Sequence, residues 1–315
     1  MSSAPAITVI MPVFNAGPFL APAIESLFAQ TFADFELVIV DDASSDGSVE
    51  AIRQFARSDS RLRSFFQREN QGISATRNFA IEQARGEYIA FLNHDDIALP
   101  ERLARQLEFL QRNEDVDLVG SAIENIGPAG ESLNTSPMPE SDLEIHWLGL
   151  LDCPVRQSAL MMRRDVFTRR GIRYDPDIIS YSDYDFVARA IRSVHAANLP
   201  EALTQYRKHP QNTSRVRWEM FVESGARIAH DAIRFELPDC KIDIEQVAEM
   251  RAVIFGYRAA ASRNSLAVIK RAVACYLDLF ESFSDRHRDH PLMARLHRPD
   301  AAEIVTLKSD NSSPR

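Results

Sequence analysis

An alternation of short apolar runs with amphipathic stretches over residues 7–121 constrains the fold more than any other feature of the sequence. The runs are rich in β-branched side chains, which is typical of strands, and the apolar residues between them recur at helical spacing. The predicted strands are Ile7–Met11, Glu36–Val40, Arg63–Gln67, Tyr88–Leu92 and Asp117–Ser121. Strands alternating with helices predict an α/β fold whose mostly parallel sheet is flanked by helices.

The alternation stops after residue 122. Glycine, proline and serine punctuate residues 127–154, which predicts a loop or lid. A strand is expected at Ser158–Met162, and an amphipathic helix is expected to carry Phe186 to Val194. From about Trp218 the composition is helical, with a packed helix favoured over a membrane anchor at Ala267–Phe280.

The predicted domain organisation follows these changes of pattern. A catalytic domain is expected over residues 1–217, with a nucleotide-binding half at 1–122 and an acceptor-binding half at 123–217. Residues 218–315 are expected to form a helical C-terminal extension with a frayed tail.

Composition excludes some classes of function. The net charge of −9 argues against a nucleic-acid-binding protein, since phosphate neutralisation needs clustered Lys and Arg. The three cysteines are far apart and form no CxxC pair, which favours free thiols over a zinc site or a disulfide framework. No secretory leader or membrane-length apolar run is seen, so we expect a cytoplasmic protein.

Polar residues follow four of the predicted strands, where ligands of open α/β sheets bind. The segment Asp41–Ser48 (DDASSDGS) has the oxygen spacing of a calcium loop, but Arg53 stands where such a loop needs its bidentate carboxylate. Asp46 or Ser48 is expected to cap the next helix. The paired carboxylates Asp41 and Asp42 suit hydrogen bonds to a nucleobase N–H or to ribose hydroxyls.

The segment Asn93–Asp96 (NHDD) again places adjacent carboxylates at a strand end. A divalent cation shared with diphosphate oxygens explains this better than helix capping does. His94 is open to two interpretations, as a ligand or as an exposed side chain. Arg77 can pair with an acid of the fold or contact a phosphate.

Two later segments are also candidates. Asp183 stands at the start of an apolar helix, as a general base or as an N-cap. Arg207, Lys208 and His209 follow a predicted strand, where they can face a leaving diphosphate or form a solvated surface.

Taken in order, these segments resemble the family 2 glycosyltransferases, inverting enzymes with the GT-A nucleotide-sugar-binding fold. The resemblance covers roughly residues 7–214. It rests on seven motifs in register, which are ITVIMPVFN, SLFAQTFADFELVIVDDASSDGS, NQGISATRN, ARGEYIAFLNHDD, MMRRDVF, SDYDF and YRKHPQNTS.

The resemblance implies a role for each matching position. Asp183 would be the catalytic base. Asp95 and His209 would bind Mn²⁺ or Mg²⁺ at the diphosphate. The implied donor-binding residues are Pro12, Phe14, Asn15, Asp42, Arg77, Asn93, His94, Asp95, Asp96 and His209.

Three positions depart from the family pattern. Asn93 replaces the first carboxylate of the family's D-x-D motif, Ser182 replaces the usual acid before the base, and Gln157 stands where many relatives have histidine. Asn93 weakens the case for a metal, and Gln157 leaves the identity of the acceptor undetermined.

The expected partners are a UDP-, GDP- or dTDP-sugar donor and a saccharide or lipid-linked saccharide acceptor, used in cell-surface polysaccharide or glycolipid synthesis. The C-terminal helices are candidates for a homodimer contact or for a peripheral contact with the cytoplasmic face of the membrane. There are two alternative functions. A sugar-phosphate nucleotidyltransferase is disfavoured because no Gly-rich loop follows the first strand. An inactive nucleotide-sugar-binding scaffold would bind the nucleotide sugar without transferring its sugar.

Overall fold

A computed structural model describes residues 4–256 and 266–296 of the chain. Nine strands of these residues form one sheet: β1 Ile7–Val13, β2 Phe35–Asp41, β3 Leu62–Phe66, β4 Tyr88–Phe91, β5 Ile97–Ala98, β6 Val116–Ile126, β7 Ser132–Ser136, β8 Met161–Arg163 and β9 His195–Arg207. The α-helices are α1 Leu20–Phe28, α2 Ser48–Ser58, α3 Ile73–Gln83, α4 Arg102–Arg112, α5 Asp142–Gly149, α6 Asp165–Thr168, α7 Ser182–Ala190, α8 Thr213–Val216, α9 Trp218–Glu236, α10 Ile244–Ile254 and α11 Leu266–Arg286. Short 3₁₀ segments occur at Gly17–Phe19, Gln157–Ala159 and Met293–Arg295.

The sheet is mixed: β3-β2-β1-β4 and the pair β6-β9 are parallel, as predicted, whereas β5, β7 and β8 pair antiparallel with their neighbours. Its strand order is β3-β2-β1-β4-β8-β6-β9-β5, and β7 pairs with β6. β1 runs parallel to β2 and β4, β2 parallel to β3, and β6 parallel to β9, whereas β8 is antiparallel to both of its neighbours. The carboxyl ends of the first four strands therefore meet at one edge, where the acidic segments follow them.

The centre of the sheet is buried along its whole length. Every residue of β1 and β2 is buried, which is expected of strands covered on both faces. The helical spacing of Leu103, Leu107 and Leu110 correctly predicted the buried face of α4. The predicted strands and the helices α2, α3, α4 and α7 all form, with ends that differ by a few residues.

The loop predicted over residues 127–154 is not loop throughout, and its role as a lid stays a prediction. This stretch contains β7 and α5. β7 is polar and mostly exposed, so it lacks an apolar alternation and is held by pairing with β6. The punctuation marks the turns around these elements, where Gly127 N donates to the carbonyl of Glu131 over 2.8 Å.

The predicted cap of α2 was also wrong. The N-cap is Gly47, whose φ of 93° lies in the left-handed region that favours glycine. Asp46 instead accepts hydrogen bonds from the amide of Ser48 over 3.1 Å and from the amide of Gly17 over 2.7 Å. The carboxylate therefore ties the start of α2 to the loop after β1.

The described residues divide into two compact units, residues 4–145 with 153–212, and residues 146–152 with 213–256 and 266–296. The sheet belongs to the first. Within the second, the ring of Trp147 packs on Tyr276, Phe280 and Phe283 of α11 at centroid distances of 5.4, 5.2 and 5.2 Å. The predicted helical C-terminal region is confirmed, while the boundary at residue 217 stays a prediction and the expected frayed tail lies outside the described residues.

Over residues 4–256 and 266–296, no helix has both the length and the apolar character that a membrane span needs.

Gly86→Ala is expected to lower the free energy of unfolding by about 2–3 kcal/mol. A Cβ at Gly86 would lie 2.5 Å from the amide nitrogen of Thr8 and 2.7 Å from the carbonyl carbon of Ile7, and these backbone atoms of β1 cannot move aside cheaply. Urea denaturation measures the change. The matched control is Gly127→Ala, whose Cβ meets the side chain of Glu131, which can rotate. An equal loss in both variants would contradict this account of Gly86.

Candidate active site at the carboxyl edge of the sheet

The loops that follow β1 and β2 are hydrogen-bonded to each other. The side-chain oxygen of Asn15 accepts from the amide of Ser45 over 2.9 Å, and the amide of Asn15 donates to Ser44 Oγ over 2.9 Å. Phe14, beside them, is 45% exposed although its ring is apolar. An exposed aromatic ring at a sheet edge provides a face on which a planar base can stack.

The two carboxylates at the end of β2 have different surroundings. Asp42 is buried, and its oxygens accept hydrogen bonds from the amides of Gln71 over 2.7 Å and Gly72 over 3.0 Å. Asp41 accepts from the amide of Ser44 over 3.0 Å, while its second oxygen is buried without a hydrogen-bond partner. The two amide bonds tie Asp42 to the loop before α3.

Asp95 and His209 meet at this edge from loops that are 114 residues apart in sequence. His209 Nε2 lies 3.0 Å from Asp95 Oδ2, and the side-chain amide of Asn212 donates to the same oxygen over 3.4 Å. His209 Nδ1 lies 3.1 Å from the side-chain oxygen of Gln211. Both ring nitrogens therefore face oxygen atoms.

This pairing shifts both pKa values. The hydrogen bond with Asp95 is the largest cause that raises the pKa of His209 above its usual value. Burial alone would raise the pKa of Asp95, but the hydrogen bond with His209 and the positive charges of His94 and His209 bring it below its usual value. The charged pair is thus favoured.

The Asp95 carboxylate, and His209 Nε2 once it has released its proton, fit a divalent cation that is shared with a substrate. No group of three or more His, Cys, Asp or Glu side chains suited to a metal occurs among the described residues. A cation such as Mg²⁺ is commonly held by one or two protein ligands, with substrate phosphates and water completing its coordination. Asp95 and His209 supply such a pair. His94 instead places Nδ1 3.2 Å from the carbonyl oxygen of Pro12, which joins the loop after β4 to β1.

Asp96 is enclosed by the protein. Its side chain accepts hydrogen bonds from the amide nitrogen of Arg207 over 2.8 Å, from Ser158 Oγ, and from the side-chain amide of Asn93 over 3.4 Å. Burial, and next the charge of Asp95, raises its pKa well above the usual value. Since Asp96 has no exposed surface, this geometry gives it a positioning role, and direct donor contact would require the turn to open.

Arg77 connects the loop after β4 with the start of α7. Its guanidinium donates to Ser182 Oγ over 3.1 Å and to the side-chain oxygen of Asn93 over 3.4 Å, and it lies 5.1 Å from the ring centre of Tyr174. These partners are neutral. No carboxylate of the described residues lies within ion-pair distance of Arg77, so its charge is available to an anionic ligand.

Asp183 is the second residue of α7 and is half-buried. It is not the N-cap, which is Tyr181, a residue at φ 64° that accepts no side-chain capping bond. One carboxylate oxygen of Asp183 accepts from the amide of Tyr184 over 3.0 Å. Arg77 bonds both to Asn93 and to Ser182, the residue before Asp183, so the start of α7 lies beside the turn Asn93–Asp96.

The basic segment after β9 is not a solvated surface. Arg207 is buried and donates to the carbonyl oxygens of Asp95 over 2.9 Å, Gly127 over 3.3 Å and Pro128 over 3.2 Å. His209 is therefore the member of this segment whose side chain meets a predicted site carboxylate.

Two buried residues of the site escaped sequence reasoning. Ser158 bonds to Asp96, as described above, and Arg102 donates to the carbonyl oxygen of Phe91, at the end of β4, over 2.7 Å. Burial lowers the pKa of Arg102 to about 9, although the nearby charge of Asp96 opposes this. Nothing in the local sequence marks either residue, because their partners lie in other segments.

Comparison with known proteins identifies the family of the chain. The family described as Glycosyl transferase family 2 matches residues 8–171. A Haemophilus influenzae protein described as an uncharacterized glycosyltransferase is 26% identical over 255 residues, which cover 78% of this chain and 79% of the relative.

Two solved structures share the fold. Crystalline S. aureus TarS 1-349 in complex with UDP-GlcNAc has a TM-score of 0.63 and 19% identity, covering 96% of this chain and 90% of that one. The mannosyltransferase PcManGT from Pyrobaculum calidifontis, in complex with GDP-Man and Mn²⁺, has a TM-score of 0.56 and 15% identity, covering 98% and 81%. With the family match over more than half of the sequence, these likenesses show that the chain belongs to glycosyl transferase family 2 and has the GT-A fold.

Proposed function

We propose that this protein transfers a sugar from a nucleotide-diphosphate sugar to an acceptor hydroxyl with inversion at the anomeric carbon. The observation that carries the proposal is the contact of Asp95 with His209 at the carboxyl edge of the sheet, where Arg77 links the turn of Asp95 to the start of α7, which carries Asp183. The ligands of the two structural neighbours, UDP-GlcNAc and GDP-Man, support a nucleotide-sugar donor. A role in cell-surface polysaccharide or glycolipid synthesis is part of the same proposal.

Donor recognition is assigned to the loops after the first three strands. The exposed ring of Phe14 would stack on the base, with Pro12 and Asn15 lining the same pocket. Asp42 was predicted to bond the base, and each of its oxygens keeps a lone pair beyond its amide bond. Asp41 is a second candidate for this bond, because one of its oxygens has no partner.

The diphosphate is assigned to the edge beside β4. Asp95 and His209 would hold Mn²⁺ or Mg²⁺, which when bound supplies positive charge for the departing nucleoside diphosphate. Arg77, whose protein partners are neutral, adds a fixed positive charge there. The side-chain oxygen of Asn93 accepts a hydrogen bond from Arg77. Asn93 would therefore orient the guanidinium of Arg77 without neutralising its charge.

Asp183 is assigned as the general base. Its carboxylate would accept the proton of the acceptor hydroxyl while the acceptor oxygen bonds to the anomeric carbon. The bond from that carbon to the diphosphate oxygen breaks in the same displacement, and the electron pair leaves with the nucleoside diphosphate. Attack on the face opposite the leaving group inverts the configuration.

A turnover assay tests the proposed function. The protein is incubated with Mn²⁺, UDP-GlcNAc or GDP-mannose and a panel of saccharide acceptors, while release of nucleoside diphosphate is followed. Proton NMR of the product should show the anomeric configuration opposite to that of the donor. Retention would contradict the single-displacement mechanism, and pyrophosphate formation from a nucleoside triphosphate and a sugar phosphate would select a nucleotidyltransferase. Nucleotide binding without transfer to any acceptor would select the inactive scaffold.

The remaining assignments are proposals of the same kind. Residues 1–217 would act as the catalytic domain and residues 218–315 as a helical extension that contacts a second copy or the cytoplasmic face of a membrane. The acceptor would be a saccharide or a lipid-linked saccharide.

A further inference from the structure

Ser158 connects two parts of the turn that carries Asp95. It lies in the 3₁₀ segment Gln157–Ala159, and its side chain is buried. Its Oγ accepts a hydrogen bond from the amide of Asn93 over 3.1 Å and donates to Asp96 Oδ2. One hydroxyl thus holds the first and the last residue of the turn Asn93–Asp96.

The opposite side of the turn is held by the end of β9. The amide nitrogen of Arg207 donates to Asp96 Oδ1 over 2.8 Å, and the guanidinium of Arg207 donates to the carbonyl oxygen of Asp95 over 2.9 Å. Ser158 is tied to the same strand, since Thr204 Oγ1 donates to its carbonyl oxygen over 3.4 Å. The turn is therefore fixed from two directions, while the Asp95 carboxylate faces His209.

This arrangement is costly as a purely structural device. Burying a carboxylate costs free energy unless its oxygens are well hydrogen-bonded, and an apolar side chain would fill the same space without that cost. Asp96 is completely buried, and its neighbour in sequence is the residue assigned to the diphosphate. The free-energy cost of burying the Asp96 carboxylate is explained if its hydrogen bonds fix the position of Asp95.

We propose that Ser158 is a positioning residue for the donor site: its hydroxyl holds the turn Asn93–Asp96 so that Asp95 faces His209 in the geometry that receives a nucleoside diphosphate with its cation. The inference rests on the proposed function. It assigns to the segment before β8 a part in donor binding that acts through the turn, without contact to the donor.

The first test measures the turn itself and needs no ligand. Hydrogen exchange is compared in the wild-type protein, Ser158→Ala and Ser121→Ala. Ser121 is a matched control because it is equally buried in the same compact unit, and its hydroxyl bonds to the carbonyl oxygen of Ala122 over 2.8 Å. Ser158→Ala should raise exchange of the Asn93 and Arg207 amides by about tenfold or more at unchanged global stability, whereas Ser121→Ala should not. Unchanged exchange at both amides would overturn the proposal.

The second test measures binding of UDP and GDP in the presence of Mn²⁺ by calorimetry. Ser158→Ala should lower the affinity for the nucleotide that the wild-type protein binds. The expected loss is about tenfold, as is usual for residues that orient a metal ligand. Ser158→Thr keeps the hydroxyl and should restore affinity to within about threefold. Equal affinity in Ser158→Ala and Ser121→Ala would reduce Ser158 to a structural residue. If the wild-type protein binds neither nucleotide, the proposed function fails, and the exchange measurement alone decides whether Ser158 holds the turn.

Discussion

Asp183→Asn is expected to lower the rate of glycosyl transfer by about 10³-fold, within the range that general-base catalysis contributes. The amide has nearly the shape of the carboxylate, but it cannot take a proton from the acceptor hydroxyl. Because the donor residues are assigned to segments other than α7, nucleotide affinity should change by less than about threefold. Steady-state kinetics and calorimetry on the same preparation separate the two effects.

The matched control for this variant is Asp185→Asn. Asp185 lies in the same first turn of α7, where Arg189 pairs with it at 2.5 Å, an ion-pair role that does not require proton transfer. Its loss should lower stability by less than about 1 kcal/mol and leave the rate nearly unchanged. Full activity of Asp183→Asn, or an equal loss in both variants, would remove Asp183 from the role of base.

Asp95→Asn and His209→Gln are expected to weaken Mn²⁺-dependent nucleotide binding by about 100-fold. His209 Nε2 and Asp95 Oδ2 lie 3.0 Å apart and offer one nitrogen and one oxygen donor. Asp95→Asn removes the negative charge, and His209→Gln removes the imidazole nitrogen. EDTA should suppress transfer by the wild-type protein, and Mn²⁺ or Mg²⁺ should restore it. Calorimetric titration of nucleotide with and without Mn²⁺ measures the difference.

His195→Gln is the control for these substitutions. His195 Nδ1 lies 3.2 Å from Asp142 Oδ2 on the surface, a contact of the same chemical kind that is remote from the carboxyl edge. This variant should bind nucleotide as the wild-type protein does. Activity that is indifferent to EDTA, together with unchanged binding in Asp95→Asn, would favour a metal-free site in which Arg77 and His209 meet the diphosphate.

Much of the catalytic fold is readable from local patterns. β1 and β2 are continuous apolar runs because both faces of the sheet are covered, and the repeat of leucines marks the buried face of α4. β7 escapes this reasoning, since a polar strand held by backbone pairing to β6 has no side-chain pattern.

The candidate site divides in the same way. Adjacent carboxylates at the ends of β2 and β4 are visible in the sequence because like charges placed together need a ligand or a donor to compensate them. The sequence does not show which carboxylate of a pair is bonded to the protein and which has an oxygen left for a ligand. Asp42 is occupied by loop amides, while Asp41 keeps an oxygen without a partner.

Contacts between distant segments set the rest of the site. Ser158 reaches Asp96 across 62 residues, and His209 reaches Asp95 across 114. Ser158 has no local signature, so only the folded chain shows its bonds. His209 was identified through its motif, whose order along the chain resembles that of the family.

Thermal unfolding with nucleotides tests the central claim most directly, that the carboxyl edge is a cation-assisted nucleotide-sugar site. The wild-type protein and Asp95→Asn are heated with UDP-, GDP- and dTDP-sugars, each with and without Mn²⁺. A ligand of the native state raises its stability, by about 2.7 kcal/mol at a hundredfold excess over Kd. We predict that one nucleotide series raises Tm of the wild-type protein, that Mn²⁺ enlarges the rise, and that Asp95→Asn loses the enlargement. No rise with any of the three series, or the same rise in Asp95→Asn with Mn²⁺, would contradict the claim.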